Sequence, residues 1–251
     1  MKLLCVPYAG ATSMNYLQWK KYFDSDIQLI PLDPPGRGRR ITEDCAQSID
    51  EAIEDMVSQI HHLLSPDEDY AFYGHSMGSL LIYEILHSLK NTAFNTPAHV
   101  FLSGRNPPQY PIPLRISHLN DPEFIKEILK YGGTPEGFFE NKQLADLFLP
   151  ILRADYKMVE DYVYMEKEKL PIGITYFYSS EDAGISLTWI NRWRELITGD
   201  FNMYTFKGGH FFIFEHAKEI SSIMNNVLNT KNKHHESYIK KCNQPDYINI
   251  R

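Results

Sequence analysis

The chain has 251 residues, 43% of them hydrophobic and 23% charged, which is enough to bury one large core or two small ones without metal or disulfide staples. Lys and Arg number 25 against 32 Asp and Glu, so the formal charge is −7 and no basic excess is available to attract phosphates; this excludes an ordinary nucleic-acid binder. Cys5, Cys45 and Cys242 form no Cys-x-x-Cys pair, and no apolar run approaches the roughly 18 residues of a membrane helix, so a cytoplasmic chain with no metal site and no membrane contact is predicted.

In chain order, short β-branched and aromatic runs alternate with segments of helical period. Strands are predicted over Leu3 to Pro7, Gln28 to Leu32, Tyr70 to Gly74, His99 to Ser103, Ile172 to Tyr178 and Asn202 to Phe206. Helices are predicted near Tyr16 to Tyr22, Ile49 to Leu64, Ser79 to Leu89, Leu187 to Leu196 and Phe212 to Leu228. Most of the strands are continuously apolar instead of alternating, which implies an α/β architecture: a mostly parallel sheet covered by helices on both faces. From Leu114 to about Lys169 the strand signal disappears, and only amphipathic patterns such as Pro122 to Leu129 and Leu144 to Tyr164 remain. Because the sheet resumes afterwards, this block, about 112–170, is expected to be a helical lid inserted into one domain spanning 1–229. The polar stretch from Thr230 to Arg251 lacks periodicity and is expected to be loosely ordered.

The most specific local signal is Gly74-His75-Ser76-Met77-Gly78, directly after a predicted strand and before a predicted helix. A serine on such a turn stands at the carboxyl edge of the sheet, and the flanking glycines leave room for the backbone to double back. Serine is a weak nucleophile without a base, and on this kind of sheet an acid and then a histidine should follow it in the chain. His210 lies in the loop Lys207-Gly208-Gly209-His210, after the last strand, and is the predicted base. His61, His62, His234 and His235 read as solvated, and His75 as a residue that packs the turn and points away from the serine. The acid is assigned to Asp182 at the end of the preceding strand, ahead of its neighbour Glu181; one strand earlier, Ser103-Gly104-Arg105-Asn106 offers no carboxylate.

Stabilising the oxyanion takes two backbone donors. Met77 N–H is one; the other comes from the loop Pro7-Tyr8-Ala9-Gly10-Ala11, either Ala9 N–H, the preferred register, or Gly10 N–H. Arg37, Arg39 and Arg40 read either as a phosphate-facing patch or, preferably, as a solvated loop held by surface ion pairs. Arg153 and Asp155 are expected to hydrogen-bond within the lid. Tyr156, Tyr162 and Tyr164 either line a chamber or pack the lid on the sheet.

Several of these segments together resemble the type II thioesterases that accompany nonribosomal peptide and polyketide synthetases. Pro7-Tyr8-Ala9-Gly10, Pro35-Gly36-Arg37-Gly38-Arg39-Arg40 and Gly74-His75-Ser76-Met77-Gly78 are similar to that family's opening loop, Arg-rich loop and nucleophile turn. Leu102 to Pro108 resembles the entry to its lid, and Gly132-Gly133-Thr134-Pro135-Glu136 and Leu149 to Tyr156 resemble segments inside it. Departures are Ala11 at a usual glycine, Ser179-Ser180 where glycines are common and Ala183 where a proline is common. The resemblance implies an α/β-hydrolase fold and hydrolysis of acyl or aminoacyl thioesters held on the phosphopantetheine arm of a carrier domain; product release or acyl transfer in the same pathway, and a generic carboxylesterase on the same fold, are the alternatives. It places the acid on Asp182 and the base on His210. It also implies a monomer that needs no cofactor of its own, and docking on an acidic carrier through apolar contact and local basic spots near the lid.

Overall fold

In the computed structural model, residues 1–90, 92–110, 112, 114–135 and 137–242 are described, with side chains as far as 230. Six strands form one sheet: β1 (Lys2–Val6), β2 (Gln28–Pro31), β3 (Tyr70–His75), β4 (His99–Ser103), β5 (Ile174–Ser179) and β6 (Phe201–Phe206). Their order is β2-β1-β3-β4-β5-β6 and every neighbouring pair is parallel. Parallel strands need crossovers long enough to hold helices, and the helices cover both faces of the sheet. This is why β3 and β4 are buried at every position.

One face carries α1 (Ile49–Leu63) and α2 (Met77–Leu89), whose apolar sides join Leu4, Phe72, Val100, Ile174 and Tyr176 in the larger core. Ser48 caps α1 by accepting from Glu51 N–H. The other face carries a 3-10 helix, Ser13–Tyr22, the short α6 (Phe212–Glu215) and α7 (Ala217–Cys242), packed on Leu3, Tyr73, Phe101 and Phe177. Between β5 and β6, α5 (Leu187–Ile190) runs into a 3-10 turn, Asn191–Leu196. The helix α7 continues beyond its predicted end at Leu228. The polar tail expected to be loose from Thr230 therefore begins inside a helix, and 243–251 lie outside the described residues. Lys, Asn and Glu carry only small helix penalties, so a helix started on the core propagates through them.

Between β4 and β5 the chain forms α3 (Asp121–Leu129), a short 3-10 turn at Phe138–Glu140, and α4 (Lys142–Asp161). Ile116, Phe124, Ile128 and Leu152 give this helical block a small core of its own. Among the described residues no helix is long and apolar enough to cross a membrane. The strand order reverses direction between β1 and β3. In an open parallel sheet that reversal leaves a crevice at the carboxyl ends of the strands, where ligands bind, and the helical block closes over this edge.

Candidate active site

Ser76 follows β3 directly and adopts φ 54°, ψ −118°; it is the one non-glycine residue with positive φ among the described residues. A side chain rarely accepts this region, and such strain persists only where the surroundings fix it. The fixing contacts are present. Ser76 N–H donates to Ser103 O at 2.8 Å, and Ser79 Oγ donates to Gly74 O and Ser103 O, both at 2.9 Å. A Cβ on Gly74 would lie 2.6 Å from Gly78 backbone, and one on Gly78 would lie 2.5 Å from Val6 O. The two glycines therefore let α2 start against β1 and β3, with its first N–H groups beside the serine.

The acid and base arrive on the loops after β5 and β6. Asp182 is buried; its Oδ2 lies 2.7 Å from His210 Nδ1 and its Oδ1 accepts from Gly184 N–H at 3.2 Å. Glu181, the alternative acid, accepts instead from Gly208 N–H at 3.1 Å, and Ser179 Oγ donates to Gly208 O. Both residues brace the histidine loop, so the serine that departs from the family's usual glycine has a structural task. His75 is fully buried, with Nδ1 2.9 Å from Ser103 Oγ and its ring 4.7 Å from that of His210. It packs the turn, as predicted, and also forms the floor under His210. Burial first, and the nearby His210 second, hold its imidazole well below the usual histidine range.

The loop after β1 is held by two carboxylates. Asp33 accepts from Thr12 Oγ1, Ser13 N–H and Ser13 Oγ at 2.7, 2.6 and 2.8 Å. Asp155 accepts from Gly10 N–H at 2.7 Å. That bond bears on the two registers left open by the sequence: Gly10 N–H is occupied, whereas neither Ala9 N–H nor Met77 N–H has a protein acceptor among the described residues. Gly10 adopts φ +75°, and a Cβ there would fall 2.2 Å from the Leu152 side chain, so only glycine lets the loop and α4 meet this closely.

Asp155 is also the main correction to the sequence reading. It does not bond within the lid. It receives a two-pronged pair from Arg37, Nη1 to Oδ2 at 2.6 Å and Nη2 to Oδ1 at 2.7 Å. Arg37 is not solvated: it is 2% exposed and Asp155 1%. Burial lowers the basicity of the Arg37 guanidinium, and Asp155 more than offsets this, leaving it raised. The other basic residues behave as expected. Arg40 pairs with Glu43 and Asp55 at 2.5 Å each, Arg39 is exposed, and Arg153 bonds within the block to Leu119 O at 2.7 Å and Asp121 at 2.6 Å. Residues two apart on a helix face different ways, which is why Arg153 turns into the lid and Asp155 toward the sheet.

Two cavities meet at the serine, sharing Ala9, Ser76, Tyr131, Tyr156 and His210. The first runs between the β1 loop and the helical block, past Asn15, Gly133, Phe138 and Phe148. The second lies behind the serine, against Met77, Arg105, Ile112, Val159 and Ile185. Tyr156 thus lines cavity space, whereas Tyr162 donates to Glu84 at 2.6 Å and anchors the end of α4. The sequence reading assigned no role to Asp33 or Arg105. Asp33 stands alone in its loop, and Arg105 was visible only as part of the Leu102 to Pro108 segment.

A parallel sheet with a strained serine after its third strand, and a histidine-carboxylate pair on the loops after the last two, is an α/β-hydrolase fold. The thioesterase domain family model matches residues 1–228, and the chain belongs to this family of acyl-thioester hydrolases. Gramicidin S biosynthesis protein GrsT of Aneurinibacillus migulanus is 31% identical over 225 residues, 89% of this chain and 87% of that protein. The crystal structure of ClbQ from the colibactin NRPS/PKS pathway superposes with a TM-score of 0.87 at 30% identity, covering 92% of this chain and 98% of that one. RedJ, a thioesterase from the prodiginine pathway of Streptomyces coelicolor, gives 0.83 at 28% identity, covering 90% and 85%. The family named from the motifs is the family found.

Proposed function

We propose that the chain hydrolyses acyl thioesters carried on the phosphopantetheine arm of synthetase carrier domains, clearing stalled or mis-primed carriers. The observation that carries this reading is the meeting of two cavities at Ser76: a substrate with an arm on one side of the scissile bond and an acyl group on the other needs two spaces joined at the nucleophile. GrsT, ClbQ and RedJ belong to biosynthetic pathways of the kind that uses such carriers.

In the proposed reaction, Ser76 Oγ attacks the thioester carbonyl while His210 Nε2 takes its proton. Asp182 holds Nδ1–H and stabilises the imidazolium that forms. The oxyanion lies between Met77 N–H and Ala9 N–H, which helix α2 and the carboxylates on the β1 loop hold in place. Collapse expels the thiolate of the arm, protonated by His210, and leaves an acyl-serine. Water, deprotonated by the same histidine, then releases the free acid. No cofactor enters any step.

The test is release of free acid from an acetyl-loaded carrier. Ser76→Ala should abolish it, and Asp182→Asn should lower kcat by about 10⁴-fold with the fold intact. Full activity in Ser76→Ala, or simple esters cleaved far faster than carrier thioesters, would overturn the proposal.

A further inference from the structure

Arg105 opens the segment that leads from β4 into the lid, and it lines the cavity behind Ser76. It is 9% exposed. Its backbone is fully engaged: N–H donates to the Tyr176 hydroxyl at 2.9 Å, and its carbonyl accepts from the Tyr176 hydroxyl at 2.9 Å and from Trp193 Nε1 at 3.3 Å. These bonds fix where the side chain starts. The guanidinium itself has no carboxylate, no hydrogen-bond acceptor and no aromatic face as partner among the described residues, and its Nε is wholly buried without an acceptor. Burial pulls its pKa down to about 10, with only the phenols of Tyr162, Tyr176 and Tyr131 acting in the other direction. At neutral pH it therefore remains a cation.

A buried cation without a counter-charge is costly to keep, so such a group points to a ligand that supplies the charge. The rest of this cavity offers no counter-charge on the acyl side: Met77, Ile112, Val159 and Ile185 present hydrocarbon, Asn106 spends its amide on Gly184 O and Ser186 N–H at 3.0 and 3.2 Å, and burial keeps the phenols of Tyr131 and Tyr156 neutral. The phosphate of a pantetheine arm cannot be that ligand, because it sits at the far end of the arm from the thioester, whereas Arg105 shares its cavity with Ser76.

We infer that the cavity behind Ser76 is an acyl subsite selective for thioesters whose acyl group carries a second carboxylate, with Arg105 as its specificity-determining residue. The inference rests on the proposed function, since it takes Ser76 as the nucleophile and this cavity as the acyl side. A short dicarboxylic acyl group would lay its methylenes on Met77, Val159 and Ile185 and turn its free carboxylate to the guanidinium fork. An aminoacyl group with a free ammonium would meet a like charge instead.

The test uses N-acetylcysteamine thioesters, which need no carrier docking: succinyl against 4-methylpentanoyl, where a branched hydrocarbon of similar shape replaces the carboxylate. Wild-type kcat/KM should favour succinyl by about tenfold or more, the usual range for a hydrogen-bonded charge. Arg105→Met should bring the ratio below one, and Arg105→Lys should restore part of it. Should Arg105→Met fail to fold, inhibition of the wild type by free succinate against 4-methylpentanoate reads the same preference. A wild type indifferent to the carboxylate, a preference that survives in Arg105→Met, or an equal loss on both substrates overturns the inference. Absence of hydrolysis of every thioester would instead strike at the proposed function.

Discussion

Two arginines are buried among the described residues, Arg37 and Arg105, and they lie in opposite situations. Arg37, on the loop after β2, is 2% exposed and clasped by Asp155 with two bonds of 2.6 and 2.7 Å. Arg105, on the loop after β4, is 9% exposed and has no counter-charge among the described residues. The same burial therefore leaves the basicity of one raised and draws that of the other down. A paired buried charge is committed to architecture: Asp155 joins the Arg37 loop to α4 and, through Gly10 N–H, sets the strand-end loop that faces the serine. An unpaired one is left for something that arrives later.

The comparison is tested most severely at the pair. Arg37→Met leaves the Asp155 carboxylate buried without its counter-charge, held only by Gly10 N–H, and should cost about 3 to 5 kcal/mol in denaturant unfolding. Arg37→Leu combined with Asp155→Leu removes both charges, and should recover most of that loss. The double variant still lacks the acceptor for Gly10 N–H. Its kcat on a thioester should therefore fall roughly ten- to a hundredfold while its stability is near wild type, the effect of a misplaced oxyanion donor. Arg37→Gln with Asp155→Asn, neutral but with an amide oxygen left for Gly10, should restore part of kcat. If the leucine pair kept full kcat, Asp155 would be a structural clasp and nothing more.

The serine turn and the sheet were legible because their signals are local. Gly74 to Gly78, the apolar runs and the Gly-Gly-His loop each carry their meaning within a few residues, and β4 was predicted at its observed bounds, His99–Ser103. The Arg37–Asp155 pair was not legible, because it joins residues 118 apart and an Arg-rich loop has the same composition whether solvated or buried. The amphipathic pattern over Leu144 to Tyr164 identified α4 as a helix but did not say which of its polar residues faces inward; that depends on where the helix is laid down over the sheet. Arg105 was equally silent. Its meaning lies in a missing partner, and a sequence does not show what fails to be near.

At Arg105 the expected stability effect has the other sign. Arg105→Met removes a desolvated charge with no partner, so stability should stay level or rise by about 1 kcal/mol. Chemical denaturation of Arg37→Met and Arg105→Met side by side reads this directly. A large loss in both would mean that Arg105 has a partner in solution and that the contrast is false.

His75 extends the comparison to a base that can discard its charge. It is buried beneath His210 and beside Tyr8, and burial holds its pKa well below the ordinary 6.5. A histidine depressed in the folded state stays neutral there, while the unfolded chain takes up a proton as pH falls through 6.5. Its contribution is therefore fully present above pH 6.5 and is lost progressively below it, on the order of 1 kcal/mol by pH 5.5. His87, also depressed by burial, adds to the same slope, so the bare pH profile is shared. His75→Gln separates them, because the amide can keep a bond to Ser103 Oγ without titrating. Its stability difference from wild type should shrink by about 1 kcal/mol between pH 7.5 and 5.5, measured by denaturant midpoints. A constant difference across that range would mean that His75 is protonated in the fold, and that the ring under His210 brings a second charge to the site.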